Sequence, residues 1–384
     1  MDTEFAYWVP NVSGGLAVTD WPMDTDWTYD YNRDLALTAE EVGFDYALAQ
    51  ARFLGSYNAD KQLEALSVAN ALAAETDDLH LIGAVHPGVW EPGPVANFVT
   101  SSDNISGGNF SLNVISGWFK DEFTGFGLPW LDHEERYARS EEFIRVLKGM
   151  WTSEEFSFDG RFYTYGRGMS GFDGVQCEPS PVQEPHPTIF QGGNSQDARK
   201  MAAKVSDVLF MNGGDLGKLK GIMDDVREYA EEFGTEPPQF AVNSFVIERE
   251  SEAEAKEELE NIIENATEEA VEGFKEQVQE AGQSSDEGEG MWDDSDFGDL
   301  VQYNDGFKTG LIGTHEQVVE RIRQLDAIGI DIVLTGFLHY DRELEAFGNE
   351  VIPDVRDATP LDEVDVGGDT IENVGGARVA SGDD

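Results

Sequence analysis

The chain has 384 residues, 40% of them hydrophobic, and carries 77 acidic against 25 basic side chains for a formal net charge of -52. Length and apolar content suffice for one large core or two ordinary ones, while so anionic a surface excludes nucleic acid or anionic membrane as a partner bound through basic patches. Plentiful, periodic apolar residues exclude an acidic disordered chain, so the charge reads as adaptation to a salt-rich cytoplasm, where a Debye length of about 3 Å in molar salt screens self-repulsion.

The opening MDTEFAYWVP lacks a basic region and a long apolar run, so no signal peptide is expected. Phe5 to Pro10 is a short aromatic strand, followed by a helix from Tyr31 to Val42 that Gly43 ends. Tyr46 to Gln50 is a second strand and Gln62 to Ala74 a second helix. Leu79 to Val85 is a third strand, closed by His86-Pro87-Gly88, with a helix from Pro94 to Ser102. Phe110 to Ile115 is a fourth strand, and Glu134 to Trp151 a helix with Phe143, Ile144, Leu147, Met150 and Trp151 on one face. Residues 156–187, rich in Gly and Pro, read as an extended insertion with a hairpin near Asp159-Gly160. Ile189-Phe190 is a fifth strand, Val208 to Met211 a sixth, Leu216 to Phe233 a helix, Phe240 to Ile247 a seventh strand and Asp331 to Thr335 an eighth. The single cysteine, Cys177, excludes an internal disulfide and points to an intracellular protein. No apolar stretch is long enough to cross a bilayer.

Eight short apolar strands alternating with helices predict a parallel sheet covered on both faces, hence a (β/α)8 TIM barrel with insertions over 1–356. An open doubly wound sheet is the alternative, and it usually closes with fewer units. The connection 251–312 is too long for one helix; its charged part, Ser251 to Ala281, reads as a helical spacer and its Tyr303 to Leu311 part as a lid. Residues 357–384 read as an acidic disordered tail.

In such a barrel the chemistry sits at the C-terminal ends of the strands. There stand Pro10 to Ser13, Gln50 to Phe53, His86 to Trp90, Asn113 to Trp118, Gly192 to Ser195, Asn212, Asn243 to Phe245 and Phe337 to Tyr340, a set rich in amides and aromatics. It holds no carboxylate and histidine cluster at metal-ligand spacing, so no metal is expected. TIFQGGNSQDARKMAAK runs from a buried strand through Gly192-Gly193 into a helix that opens at Asn194-Ser195. The first N–H groups of a helix lack intrahelical partners and sit at the positive end of its dipole, so this turn suits a phosphate, although an ordinary capped turn has the same pattern. Amides, aromatic walls and a phosphate socket together suit an aromatic cofactor such as FMN.

FAYWVPNVSGGL, YALAQARF, SLNVISGWFKDEF, HEERYARSEEFI, TIFQGGNSQDAR, NSFVI, LVQYNDGFKTGLIGT and LTGFLHY, in this order from Phe5 to about Val355, resemble the luciferase-like flavin monooxygenases, and within them the sulfone-oxidising members. The resemblance implies a (β/α)8 barrel, reduced FMN (FMNH2) delivered by an NAD(P)H:flavin reductase, O2 as co-substrate, a homo-oligomer, and oxidation of dimethyl sulfone to methanesulfinate and formaldehyde. It places Gly192, Gly193, Asn194 and Ser195 on the FMN phosphate with the hydroxyl of Tyr137, unless Tyr137 only packs on the insertion. It sets Asn113 and Ser116 at the isoalloxazine edge, with His86 beside the flavin as a proton donor or a structural residue.

Related alkanesulfonate monooxygenases carry a basic and a histidine side chain where this chain has Asn243 and Phe245. Alternation puts those two on one face of their strand, where an amide and an apolar ring suit a neutral sulfone better than a sulfonate anion. Trp8, Trp118 and Phe337 are candidates for the remaining substrate walls or for barrel packing. Arg52 and His339 are the candidate catalytic groups, Arg52 for developing sulfinate charge and His339 for a proton, with a rim ion pair the other reading of Arg52. Other readings remain: an alkanesulfonate or other small-substrate FMNH2 monooxygenase, a deazaflavin-dependent oxidoreductase of the same superfamily, or a non-catalytic flavin-binding barrel.

Overall fold

The computed structural model describes residues 1–54, 59–166, 174–283, 295–361 and 364–366; at 279 and 281–283 it describes the backbone alone. Eight parallel strands close into a barrel in chain order: β1 Glu4–Val9, β2 Tyr46–Ala49, β3 His80–Val85, β4 Phe110–Val114, β5 Ile189–Gly192, β6 Val208–Met211, β7 Gln239–Phe245 and β8 Ile332–Gly336. The closing pair is β1 with β8, in register from Glu4 opposite Ile332 to Tyr7 opposite Thr335.

Each strand is a short apolar run because both of its faces are covered. One face fills the barrel with Ala6, Leu48, Ile82, Phe190, Val208, Phe210, Ala241, Ile332 and Leu334. The other meets the helical shell: α1 Tyr29–Glu41, α2 Ala65–Ala73, α3 Pro92–Ser106, α4 Lys120–Gly125, α5 His133–Thr152, α6 Gln196–Val205 and α7 Leu216–Phe233. Side chains alternate across a strand, so each residue's parity decides its layer. The hairpin of the insertion pairs Phe158 with Tyr165 and Asp159 with Thr164.

The connection after β7 holds two helices, α8 Glu252–Glu264 and α9 Glu268–Gln283, where the sequence reads as one charged segment. The break has a physical cause. The loop after β1 docks there, with Asp20 N–H donating to Asn265 O and Thr267 N–H donating to Val18 O, each near 3 Å. A helix continued through this point would have to surrender those bonds. A short helix α10, Phe297–Leu300, and a 3-10 turn, Gly306–Thr309, return the chain to the barrel before α11, His315–Ile328, and β8. Helices α12, Tyr340–Ala346, and α13, Ile352–Asp357, end the described core. The acidic run 284–290, part of the insertion at 167–173 and most of the tail 357–384 lie outside the described residues. Among the described residues no helix is long and apolar enough to cross a membrane.

Candidate active site

A cavity lies at the C-terminal ends of the strands, where a (β/α)8 barrel places its chemistry. Strand ends supply Trp8, Gln50, Asn113, Gly192, Gly193, Asn212 and Asn243 to its wall, and Arg52 and Trp118 reach it from the loops after β2 and β4. Phe274 of α9 joins it, with Tyr303 and Asn304 of the segment before the 3-10 turn.

That segment is hydrogen-bonded to the end of β7. Asn243 Nδ2 donates to Asn304 O at 2.9 Å and to Gln302 Oε1 at 3.2 Å, and Thr309 Oγ1 donates to Asn243 O at 2.5 Å. Asp305 adopts φ 54° and is buried, with Lys308 lying 3.6 Å from it and 3.1 Å from Asp299. A Cβ on Gly213 would stand 1.9 Å from the Asp305 carbonyl oxygen, so the close approach of the two loops requires glycine there.

The turn after β5 runs through two glycines into the N-terminus of α6. Ser195 is the N-cap of α6, its Oγ accepting from Ala198 N–H at 3.3 Å. The Tyr137 hydroxyl hydrogen-bonds Ser195. Gly193 takes φ 137°, and a Cβ there would lie 2.7 Å from the Tyr137 hydroxyl and 2.9 Å from Ala198 Cβ. At Gly192 a Cβ would meet no atom within 4 Å, so the strand end opens on free space. Burial raises the Tyr137 pKa above the ordinary tyrosine value and keeps the group a neutral donor. The acid in the first turn of α6, Asp197, is taken up by His133 Nδ1 at 3.0 Å, a bond that holds its pKa below the usual carboxylate value.

Among the described residues, the buried polar atoms without a protein partner at this end of the barrel include Gln50 Nε2, Asn113 Oδ1, Ser116 Oγ and Asn194 Nδ2. An unpaired buried polar atom costs about 1–3 kcal/mol, so such a cluster points to a polar ligand that completes it. The donor set, the glycine turn and the aromatic walls fit a phosphorylated planar cofactor such as FMN.

The residues singled out from sequence divide into two groups. Trp8, Arg52, Asn113, Trp118, Gly192, Gly193 and Asn243 line the cavity. Tyr137, Asn194 and Ser195 stand together at the glycine turn, and Ser116 is buried after β4. The others lie elsewhere. Phe337 has the parity of Val333, opposite to the inward Ile332 and Leu334, and packs outside the barrel on Tyr340 and Phe347, with ring centroids 5.6 and 5.7 Å away. Phe245 shares the parity of Asn243, but the 3-10 turn covers the end of β7 and its Phe307 ring takes up Phe245 at 5.2 Å. His339 sits at the start of α12, its Nδ1 3.0 Å from Asp24 Oδ2. His86 is buried beside the cavity wall, Nδ1 donating to Ile115 O at 3.0 Å; burial holds its pKa below the free imidazole value.

Glu122 and Phe274 have no role in the sequence reading, Gln50 and Asn212 have none beyond their strand-end position, and Tyr303 and Asn304, expected as part of a lid, line the cavity. Position at a strand end was the available signal for Gln50 and Asn212; Phe274 lies in a Glu-rich helix with no such signal. Away from the cavity, Glu248, His315 and Glu350 bring ligand atoms within 4.8 Å of one another.

The model of the luciferase-like monooxygenase family matches residues 3–331. The chain is 51% identical over 354 residues to the FMNH2-dependent dimethylsulfone monooxygenase of Pseudomonas putida, covering 92% of this chain and 95% of that one. It is 48% identical over 354 residues to the protein of the same description from Pseudomonas fluorescens strain Pf0-1, covering 92% and 94%. Among solved structures, a riboflavin lyase with modified FMN and riboflavin superposes with TM-score 0.79 at 18% identity, covering 98% of this chain and 96% of that one; this likeness concerns the fold.

Proposed function

We propose that this chain, which belongs to the luciferase-like monooxygenase family, is an FMNH2-dependent monooxygenase that cleaves dimethyl sulfone. Dimethyl sulfone, O2 and FMNH2 give methanesulfinic acid, formaldehyde, water and FMN. A methyl carbon is oxidised to formaldehyde, its bond to sulfur breaks, sulfur leaves as sulfinate with its proton released, and FMNH2 supplies the two electrons and two protons that carry the second oxygen atom to water. Identity of about half over nine-tenths of the chain to two proteins of that activity supports the reading. The observation that carries it in this molecule is the charge of the chamber. Among the described lining residues the single cation, Arg52, is paired with Glu122 at 3.2 Å, so the substrate space is uncharged.

Gly192, Gly193, Asn194, Ser195 and Tyr137 would hold the FMN phosphate, and Asn113, Ser116 and Gln50 the polar edge of its ring. Bound reduced FMN supplies the electrons and the activation of O2. The chain's own residues bind, orient and exclude water: Trp8, Trp118, Phe274 and Tyr303 form apolar walls that keep the reacting centre dry. Asn243 aligns the wall segment, and Arg52 offers guanidinium donors to charge that develops on the leaving sulfinate oxygens. Support for a salt-rich cytoplasmic setting comes from the net charge of -52. A separate NAD(P)H:flavin reductase would deliver FMNH2, and the working form is proposed to be a homo-oligomer.

The test is turnover with FMN, NAD(P)H and a flavin reductase in multimolar KCl. One formaldehyde per dimethyl sulfone consumed is expected. Formaldehyde no higher than in a control lacking the protein would overturn the reading.

A further inference from the structure

The loop after β2 and the short helix α4 meet in a buried ion pair at the chamber wall. Glu122 is 1% exposed and Arg52 10%. Glu122 Oε1 accepts from Arg52 Nε at 3.2 Å, from Phe53 N–H at 2.7 Å and from Leu54 N–H at 3.3 Å. Its Oε2 lies 3.8 Å from His86 Nε2. The guanidinium is also clamped over two rings, 5.2 Å from the Trp118 centroid and 4.9 Å from that of Phe119. Arg52 and Trp118 both line the cavity, whereas Glu122 does not. The carboxylate therefore acts on the chamber only through Arg52.

We infer that Glu122 sets the charge class of the substrate: its carboxylate cancels the Arg52 charge at the chamber wall, favouring an uncharged sulfone over sulfonate anions and hastening release of the anionic sulfinate product. This rests on the sulfone-oxidising reading above. An arginine left without its carboxylate in a desolvated wall would seek another anion, because an uncompensated buried charge is strongly unfavourable. A sulfonate or sulfinate presents oxygens that match the guanidinium donors. With Glu122 in place that demand is largely met, so an anion entering the chamber gains less from Arg52 than it loses in hydration, whereas charge that develops on an already bound, neutral sulfone meets the guanidinium donors with no hydration to lose. Glu122 is thus a positioning and charge-setting residue that touches no substrate.

Glu122→Gln keeps the volume and an oxygen to accept from Phe53 and Leu54, and removes only the charge. Two readouts are needed in wild type, E122Q and E122Q/R52Q. One is the ratio of kcat/KM for methanesulfonate to that for dimethyl sulfone. The other is the Kd for methanesulfinate, read by quenching of tryptophan emission, since Trp8 and Trp118 line the chamber. In E122Q the ratio is expected to rise, and the sulfinate Kd to fall, by at least tenfold, a small part of the roughly thousandfold that one charge contact at about 4 Å allows at an effective dielectric constant of about 20. In the double variant the sulfinate Kd is expected to return to the wild-type value. An unchanged sulfinate Kd in E122Q, or a gain that survives removal of Arg52, would overturn the inference. If E122Q fails to fold by its melting curve, Arg52→Gln must instead weaken sulfinate binding, and an unchanged Kd overturns the proposal. Wild type that binds sulfinate weakly yet turns over no dimethyl sulfone sinks the assigned reaction and leaves the charge argument standing.

Discussion

Across the mouth of the barrel, Trp8 Nε1 donates a 2.6 Å hydrogen bond to Asn243 Oδ1. The same amide donates through Nδ2 to Gln302 and Asn304, so one side chain joins β1, β7 and the wall segment over the chamber. Asn243 therefore serves two ends: it makes the cavity wall polar without charge, and it fixes where that wall stands.

Asn243→Leu should test the second role. The substitution preserves approximate volume but strips the Trp8 N–H, Gln302 Oε1 and Asn304 O of a buried partner. Each lost partner costs about 1–3 kcal/mol where water cannot replace it. A lower melting temperature and at least a tenfold loss (~1.4 kcal/mol) in kcat/KM for dimethyl sulfone are expected. Unchanged values in thermal melts and steady-state assays would show that the bridge contributes nothing.

The glycine turn makes a prediction about cofactor binding. In Gly193→Ala the new Cβ meets the Tyr137 hydroxyl at 2.7 Å and Ala198 Cβ at 2.9 Å on a φ of 137° that side chains rarely adopt. FMN affinity, followed by quenching of flavin fluorescence, should fall by more than tenfold. Tyr137→Phe, which removes one donor to an anionic phosphate, should cost about 1.5–3 kcal/mol of the same affinity. Equal FMN binding by all three proteins would argue against a phosphate at this turn.

Gly213 and Asp305 test the wall. A Cβ on Gly213 stands 1.9 Å from the Asp305 carbonyl, and backbone there has nowhere to yield without moving the Tyr303 to Thr309 segment. Gly213→Ala should loosen the chamber and admit water. The expected signature is less formaldehyde and more hydrogen peroxide per NAD(P)H consumed; an unaltered ratio would mean that the wall does not protect the reaction.

Asp305 gives the pH prediction. Burial pushes its pKa up to about 6, against the partial counter-effect of Lys308. A carboxyl whose pKa is higher in the folded chain than in the unfolded chain takes up a proton on folding between the two values. Its contribution to stability is therefore largest below about pH 4 and declines as pH rises through about 6. Asparagine tolerates the left-handed backbone that Asp305 adopts at φ 54°. The melting temperature of Asp305→Asn, relative to wild type, should thus improve between pH 4 and pH 8, by the equivalent of up to about 3 kcal/mol from roughly two pH units. A difference that is flat with pH, measured at constant high salt, would exclude a raised pKa.

What was legible in the chain was local. Eight apolar runs separated by helical stretches imply a parallel barrel because a doubly covered strand must be apolar on both faces. The Gly192 to Ser195 turn could be read because strand, turn and helix N-terminus are contiguous there. Alternation within β7 puts Asn243 and Phe245 on one face, and Asn243 lines the chamber; applied to β8 it turns Phe337 outward, since Ile332 and Leu334 point in.

Tertiary structure decided the rest. Phe245 has the inward parity of Asn243, yet the returning turn with Phe307, some 60 positions later, takes its ring. Arg52 meets Glu122 across 70 positions, and Phe274 reaches the chamber from a helical segment whose charge marks it as surface. Periodicity assigns a residue to one side of its own element; it carries no information on which distant segment will cover that side. That choice is made when the closed barrel brings loops from all around the ring to one end, and there the charge and dryness of the chamber are set.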